Sequence, residues 1–173
     1  MAISLYDATV AGFIQTITAV IGVLDRGLSH CTENGSDPDA LVEARLFSDM
    51  APLRFQVVSV VHHSIGAIDG VKSGVFKPPS DQRPHDYAGL QKLVVDAQSV
   101  LKAISADEVN ALQGKDVIFA FRDFKMPFDA ENFLLSFSLP NFYFHATTAY
   151  DILRSQGVPL GKRDYMGPLR LKV

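Results

Sequence analysis

The chain has 173 residues, a length that suits a single domain, 1–173, and leaves little room for a second hydrophobic core. Its residues are 47% hydrophobic and 20% charged, which excludes an intrinsically disordered chain. The 16 basic and 19 acidic residues give a net charge of −3 and are scattered, so no nucleic-acid partner is expected. The single cysteine, Cys31, can form no intramolecular disulfide, and we expect a cytoplasmic location.

The first predicted element is an amphipathic helix that contains the uncharged segment from Ala8 to Leu24. Its apolar residues recur at spacings of three and four, and the helix should end before Asn34-Gly35. No basic region precedes the segment, and the polar residues Gln15 and Thr16 interrupt it. The sequence therefore predicts neither a membrane span nor a signal peptide.

Two helices and a loop are predicted next. Asp37-Pro38 should open a short helix through Leu46, because aspartate caps helices and proline suits their first turn. Ser48-Asp49 should begin a second long helix that reaches about Lys72. The segment from Gly74 to His85 has three prolines and no periodicity, which indicates a loop that crosses between helices.

The remaining elements are a third helix from about Asp86, a β-hairpin and a fourth long helix. Apolar residues alternate with period two from Val117 to Phe128, and Pro127 restricts the second strand to a sheet edge. The fourth helix should start at about Asp129, with a kink at Pro140. We expect the tail, 158–173, to pack on the surface or against a partner. The pattern predicts an all-α four-helix bundle with one long crossover and a small β-hairpin between helices 3 and 4.

Polar residues lie among apolar ones on two of these helices. Asn141, His145 and Thr148 share one face of the fourth helix, because they are spaced at i, i+4 and i+7. Gln56 and His63 lie seven residues apart at the edge of the apolar stripe on the second helix. Burying such groups costs a few kcal/mol unless each finds a partner. The sequence therefore predicts either a hydrogen-bonded network or a pocket open to a ligand.

The neighbouring His62 is predicted to point away from the apolar stripe. Adjacent helical residues lie about 100° apart around the axis, so His62 and His63 should not share an environment. We expect His62 to contact solvent or another subunit.

Four segments carry a resemblance to a known family: Ser4–Asp7, Asp49–Leu53, Leu139–His145 and Val158–Tyr165. The chain resembles the domain-of-unknown-function family 1993, a branch of the DinB/YfiT-like helical bundles. The resemblance implies a DinB-like bundle, often dimeric, and we expect a homodimer. It also implies membership of a superfamily that includes metal-dependent thiol-transfer enzymes.

The metal site usual in that superfamily has three histidines, one on the second helix and an HxxxH pair on the fourth. By resemblance His145 matches the third ligand, whereas Asn141 stands at the first position of the pair. Gln56, or alternatively His63, stands at the second-helix position. Amide oxygens bind zinc or nickel far less well than imidazole. We therefore expect no cofactor, with a zinc or nickel ion at His145 as the alternative.

These observations predict a small-molecule pocket around His145 that suits an aromatic or thiol-bearing ligand. His145 would act as general acid or base with help from Tyr143, and Gln56, Asn141, Thr148 and His63 would bind the ligand. Two alternatives stay open. One is a metal-dependent transferase or other enzyme of the superfamily, and the other is a non-catalytic dimeric binding module whose polar cluster fixes helix register.

Overall fold

The computed structural model describes residues 3–79 and 84–172. A short helix α1 (Leu5–Ala8) precedes the first long helix, α2 (Val10–Asn34). The helix α2 ends at Gly35, whose φ of +63° turns the chain out of the helix in a conformation that favours glycine. The predicted end before Asn34-Gly35 is thereby confirmed.

By length and composition alone, the segment Leu5–Asn34 could cross a membrane, since its most apolar window has a mean hydropathy of 1.6. Half of that window is buried inside the structure. A helix at the centre of a bundle meets the same length and hydropathy test. The residues of α2 that are buried by the other elements are Val10, Phe13, Thr16, Ile17, Ala19, Val20, Val23, Leu24, Gly27 and Cys31.

The predicted opening of the short helix at Asp37-Pro38 is confirmed, because Asp37 caps it, but its predicted extent through Leu46 and the predicted start of the second long helix are wrong. A 3₁₀ turn covers only Pro38–Leu41, and α3 (Leu53–Val61) begins after Pro52. In a helix that started at Ser48, the Pro52 ring would clash with the carbonyl one turn earlier. Instead, the preceding loop supplies partners for the first amide groups of α3. The Leu53 amide donates to the carbonyl of Ala44 at 2.9 Å.

The four long helical segments of the bundle are called rods. The second rod starts with α3 and continues through a π-turn, His62–Gly66, into α4 (Ala67–Ser73). A π-turn inserts one extra residue and shifts the side chains around the helix axis. The hydroxyl of Ser64 donates to the carbonyl oxygens of Val60 and Val61, at 2.9 and 3.0 Å. The turn therefore shifts the residues of α4 around the helix axis relative to those of α3.

The structure also corrects the loop predicted from Gly74 to His85. Its start forms a short strand, β1 (Val75–Phe76), parallel to β2 (Asp116–Phe121). Gly74, at φ +77°, turns the chain out of α4, and its carbonyl accepts a hydrogen bond from the Ile118 amide at 2.9 Å. Residues 80–83 of the predicted loop lie outside the described residues. The strand matters because it brings Phe76 and Lys77 over His62.

The third helix and the hairpin are confirmed. Asp86 caps α5 (Tyr87–Ala103) through the Gly89 amide, and α6 (Ala106–Asn110) follows. The strand β2 pairs antiparallel with β3 (Phe124–Asp129), and the sheet order β1-β2-β3 leaves Pro127 on an edge strand.

The fourth rod starts with α7 (Ala130–Asn132), continues through a second π-turn, Phe133–Ser138, and ends with α8 (Leu139–Ser155). The irregularity predicted at Pro140 thus takes the form of a π-turn that ends just before the proline. Proline has no amide hydrogen and its ring crowds the carbonyl four residues earlier, which is that of Ser136 inside the turn.

The tail carries a short helix, α9 (Lys162–Met166), which packs on α2. The side-chain nitrogen Nε2 of Gln15 donates to the carbonyl of Met166 at 2.9 Å, and Arg26 forms an ion pair with Asp164 at 3.2 Å. In the bundle, α2 packs against α5, and α3 packs against α8. This last contact positions the polar residues of the second and fourth rods next to each other.

Candidate functional site

The site is centred on a hydrogen bond between helices α3 and α8. Nδ1 of His145 lies 2.8 Å from Oε1 of Gln56, and Nε2 of Gln56 donates to the carbonyl of Ala51 at 2.8 Å. The Gln56 side chain is buried, with 2% of its surface exposed. Both polar atoms of this amide are satisfied, which offsets the cost of burying it between two helices.

This chain of hydrogen bonds determines the tautomer of His145. A backbone carbonyl only accepts hydrogen bonds, so the atom of Gln56 that faces Ala51 is the amide nitrogen. Oε1 of Gln56 then faces His145 and must accept a proton from Nδ1. The neutral ring therefore carries its lone pair on Nε2. In the described part of the chain, no protein group bonds this atom.

Two further histidines lie beside His145. The ring of His63 is 5.8 Å from that of His145 between centroids and 19° from parallel, and the His62 ring is 5.5 Å from that of His63. Nε2 of His62 donates to the carbonyl of Lys77 at 2.7 Å, and its ring stacks on Phe76 at 4.4 Å. The structure thus places the half-buried His62 under the segment that follows β1, a contact that the sequence did not predict.

The environment of these rings disfavours their charged forms. Burial, with smaller effects of the neighbouring His62 and His145, lowers the pKa of His63 to about 3. Burial, with a smaller effect of His62, lowers the pKa of His145 to about 4. Burial also lowers the pKa of His62, against the raising effect of its bond to Lys77. All three imidazoles are therefore neutral at neutral pH.

Two phenylalanine rings also contact the His145 ring. Phe55 and Phe144 each contact the His145 ring edge to face, with centroids at 5.8 and 5.3 Å. These two phenylalanines are 39% and 56% exposed, so the site reaches the surface through an aromatic rim. Neither phenylalanine was predicted as a site residue, although each precedes a predicted site residue, Gln56 or His145, by one position.

Two of the predicted ligand-binding residues bond to their own helix instead. Nδ2 of Asn141 donates to the carbonyl of Phe137 at 2.7 Å, and the hydroxyl of Thr148 donates to that of Phe144 at 2.7 Å. Such bonds to the carbonyl four residues earlier are common for short polar side chains in helices. Of the predicted site residues, the structure brings together His145, Gln56 and His63.

Tyr143, predicted to assist catalysis, lies on the side of α8 that faces α2. A Cβ atom added to Gly12 of α2 would lie 3.1 Å from its hydroxyl oxygen, and its ring packs on Phe142. Burial raises the pKa of Tyr143. No contact joins Tyr143 to His145 in the described structure, so its placement gives it no part in chemistry at that ring.

The residues present do not fit the three-ligand metal site that the resemblance suggests. The two polar atoms of Gln56 are engaged by Ala51 and His145, and Asn141 is bonded to Phe137. Within residues 3–79 and 84–172, no group of three or more His, Cys, Asp or Glu side chains is placed to hold a metal ion. Imidazole is a far better zinc ligand than a carboxamide.

Comparison with known proteins identifies the family. The model of the domain of unknown function DUF1993 matches residues 5–166. A DinB family member protein from Shewanella denitrificans has a solved structure with a TM-score of 0.80, 24% sequence identity, and coverage of 98% of this chain and 95% of that one. This likeness confirms the predicted DinB-like fold, and no curated protein matches the chain. The chain therefore belongs to the DUF1993 family and has a DinB-like fold.

Proposed function

We propose that the protein binds, without a metal ion, a small aromatic molecule whose hydroxyl or thiol group donates a hydrogen bond to Nε2 of His145. The observation that carries this proposal is the hydrogen-bond chain from Ala51 through Gln56 to His145. Because of this chain, Nδ1 of His145 is a hydrogen-bond donor and Nε2 is a hydrogen-bond acceptor in the absence of any ligand. Such preorganisation lowers the entropic cost of binding.

The surroundings of His145 support an aromatic ligand. Phe55, Phe144 and His63 present three rings around the imidazole, and the two phenylalanines are partly exposed. Aromatic rings favour edge-to-face and offset contacts with one another. A ligand ring would cover apolar surface that now faces water, while its hydroxyl or thiol would satisfy Nε2.

The low pKa of His145 favours binding over proton transfer. At about 4, this pKa keeps the imidazole neutral at neutral pH, when it accepts a hydrogen bond but holds a proton poorly. General acid–base catalysis by His145 would require a bound ligand that raises the pKa. Binding is therefore the primary function that we propose for this site, and catalysis is the alternative.

The first test is the tautomer of His145, read by long-range ¹H–¹⁵N NMR of histidine-labelled protein. We expect a protonated Nδ1 and an unprotonated Nε2. Gln56→Ala should shift the ring toward the Nε2-protonated form that is usual in water. Gln98→Ala is the matched control, because this glutamine bonds Thr18 elsewhere in the bundle. A wild-type ring protonated at Nε2 would contradict the basis of the proposal.

The second test is titration with phenol, with anisole as a probe of the same shape that cannot donate a hydrogen bond. Phenol should shift the His145 resonances saturably, and the binding of phenol, measured by calorimetry, should be lost in His145→Phe. Anisole should bind at least about fivefold more weakly, since the hydrogen bond contributes on the order of 1 kcal/mol. Equal binding of the two probes, or no binding of phenol, would contradict the proposed ligand class.

The exposed rim also favours a second candidate, a dimeric binding module. Phe144 is 56% exposed on α8 beside the partly exposed Phe55 of α3, and large aromatic side chains are enriched at protein interfaces. Light scattering after size exclusion tests this: a dimer in the wild type that Phe144→Ser converts to a monomer supports it. A wild-type monomer contradicts it.

A further inference from the structure

A groove of about 470 Å³ lies between the π-turn of the second rod, the segment after β1 and helix α5. Its walls are mostly aliphatic side chains, among them Val61, Ile65, Val75 and Leu93. The volume falls in the range of small-molecule sites. His62 also lines the groove, whereas His145 is not among its described lining residues. The groove is thus separate from the phenylalanine rim around His145.

The charge on this groove is positive. Lys77 is the one charged side chain among the described lining residues, and its ammonium forms no ion pair within the described structure. Lys72, on the same rod, is by contrast neutralised by Glu108. An apolar groove with a free cation at its rim complements an amphipathic anion.

The wall beside Lys77 is fixed in place. The backbone carbonyl of Lys77 accepts the hydrogen bond from Nε2 of His62 at 2.7 Å, and the His62 ring stacks on the buried Phe76. The backbone of Lys77 therefore has a defined position, although its side chain is exposed. Pro78 and Pro79, which follow it in the groove wall, restrict the backbone further.

We propose that this groove is a second ligand site, for a monocarboxylate with an aliphatic tail. The tail lies against Val61, Ile65 and Leu93, and the carboxylate lies at the ammonium of Lys77. His62 forms part of the wall, so its resonances should report on occupancy. The proposal does not depend on ligand binding at His145.

The test is a titration with sodium octanoate below its micelle concentration, followed by calorimetry and by NMR of the His62 imidazole. The neutral comparison is 1-octanol, which has the same tail. We expect saturable octanoate binding that moves the His62 signals. Lys77→Gln should weaken octanoate binding about fivefold, since an exposed ion pair contributes up to about 1 kcal/mol. Lys125→Gln, an exposed lysine on strand β3, is the matched control and should bind as the wild type does.

A second variant tests the location. Val75→Glu places a negative charge in the groove at a residue that is 43% exposed, so the fold should tolerate it. It should weaken octanoate binding more than 1-octanol binding. The proposal is wrong if octanoate does not bind, if 1-octanol binds the wild type as tightly as octanoate does, or if Lys77→Gln and Lys125→Gln behave alike.

Discussion

Nδ1 of His145 lies 2.8 Å from Oε1 of Gln56, which precedes it in the chain by 89 residues. This contact joins the second and fourth rods of the bundle. The acceptor is a neutral amide, whereas a carboxylate at the same place would form an ion pair with a protonated His145. An amide acceptor fixes the position of the ring proton without stabilising a positive charge on the imidazole. Burial of the ring and the neutral amide acceptor together keep His145 in its neutral form.

Gln56→Glu should therefore raise the pKa of His145. A carboxylate within hydrogen-bond distance stabilises the imidazolium and raises its pKa by about 1–3 pH units. NMR titration of the His145 Hε1 signal measures the change. Gln98→Glu adds the same charge at a site that bonds Thr18, so the His145 pKa should stay near its wild-type value in this control. Equal pKa values of His145 in Gln56→Glu and wild type would contradict the observed hydrogen bond.

The histidine cluster should make stability depend on pH. The folded-state pKa values of His63 and His145 lie below the ordinary value of 6.5, so the unfolded chain binds more protons between about pH 6.5 and 4. The free energy of unfolding should accordingly fall by at least about 2 kcal/mol as the pH decreases through that window. Urea unfolding at about pH 7 and about pH 4.5 measures this loss.

His63→Gln should reduce the loss, because it removes one of the two buried imidazoles and the neighbour that interacts with His145. His30→Gln, which lies outside the cluster, is the control and should retain the wild-type loss. A loss of stability on acidification that is the same in His63→Gln and wild type would mean that other groups cause it.

Metal binding should be absent in the wild type and recoverable by substitution. Gln56 and Asn141 stand where the resemblance places two histidine ligands, and their amides are bonded within the protein. After dialysis against zinc, the wild type should retain much less than one equivalent, whereas the double variant Gln56→His, Asn141→His should retain about one. The single variant Asn141→His shows how much of the zinc binding comes from each of the two substitutions. Stoichiometric zinc on the wild type would overturn the metal-free site.

The long helices were predictable from the sequence because their apolar residues face other helices along most of their length. In α2, for example, the stripe that contains Phe13, Ile17 and Leu24 is buried by several elements, so its spacing alone identifies the helix. The start of α3 was not predictable in this way. It depends on bonds from Leu53 and Arg54 back to a loop, and a loop has no periodicity.

The part of the candidate site that lies on α3 and α8 was predictable from regular helical spacing. Gln56 and His145 lie on regular segments of α3 and α8, and their positions at the edges of the apolar stripes identify both as candidate site residues. His62 lies at the first position of a π-turn and is covered by Phe76 and Lys77, which follow a strand formed by long-range pairing. Neither the extra residue in the turn nor the pairing of β1 has a signal in local spacing.

The contact between α2 and α5 gives the sharpest stability prediction. The Tyr87 hydroxyl donates to the carbonyl of Leu24 at 2.8 Å, and a Cβ atom added to Gly27 would lie only 2.1 Å from the hydroxyl oxygen. Gly27→Ala should therefore displace the buried Tyr87 ring and reduce the free energy of unfolding by about 2–3 kcal/mol. Urea unfolding measures the loss.

Two further variants separate this clash from the effect of changing a helical glycine. Gly22→Ala lies on the same helix with nothing within 4 Å of the new Cβ, so it should leave stability unchanged or raise it by about 0.5–1 kcal/mol. Adding Tyr87→Phe to Gly27→Ala removes the clashing oxygen and should recover part of the loss. If Gly27→Ala proved as stable as Gly22→Ala, the close approach of Tyr87 to α2 would be wrong.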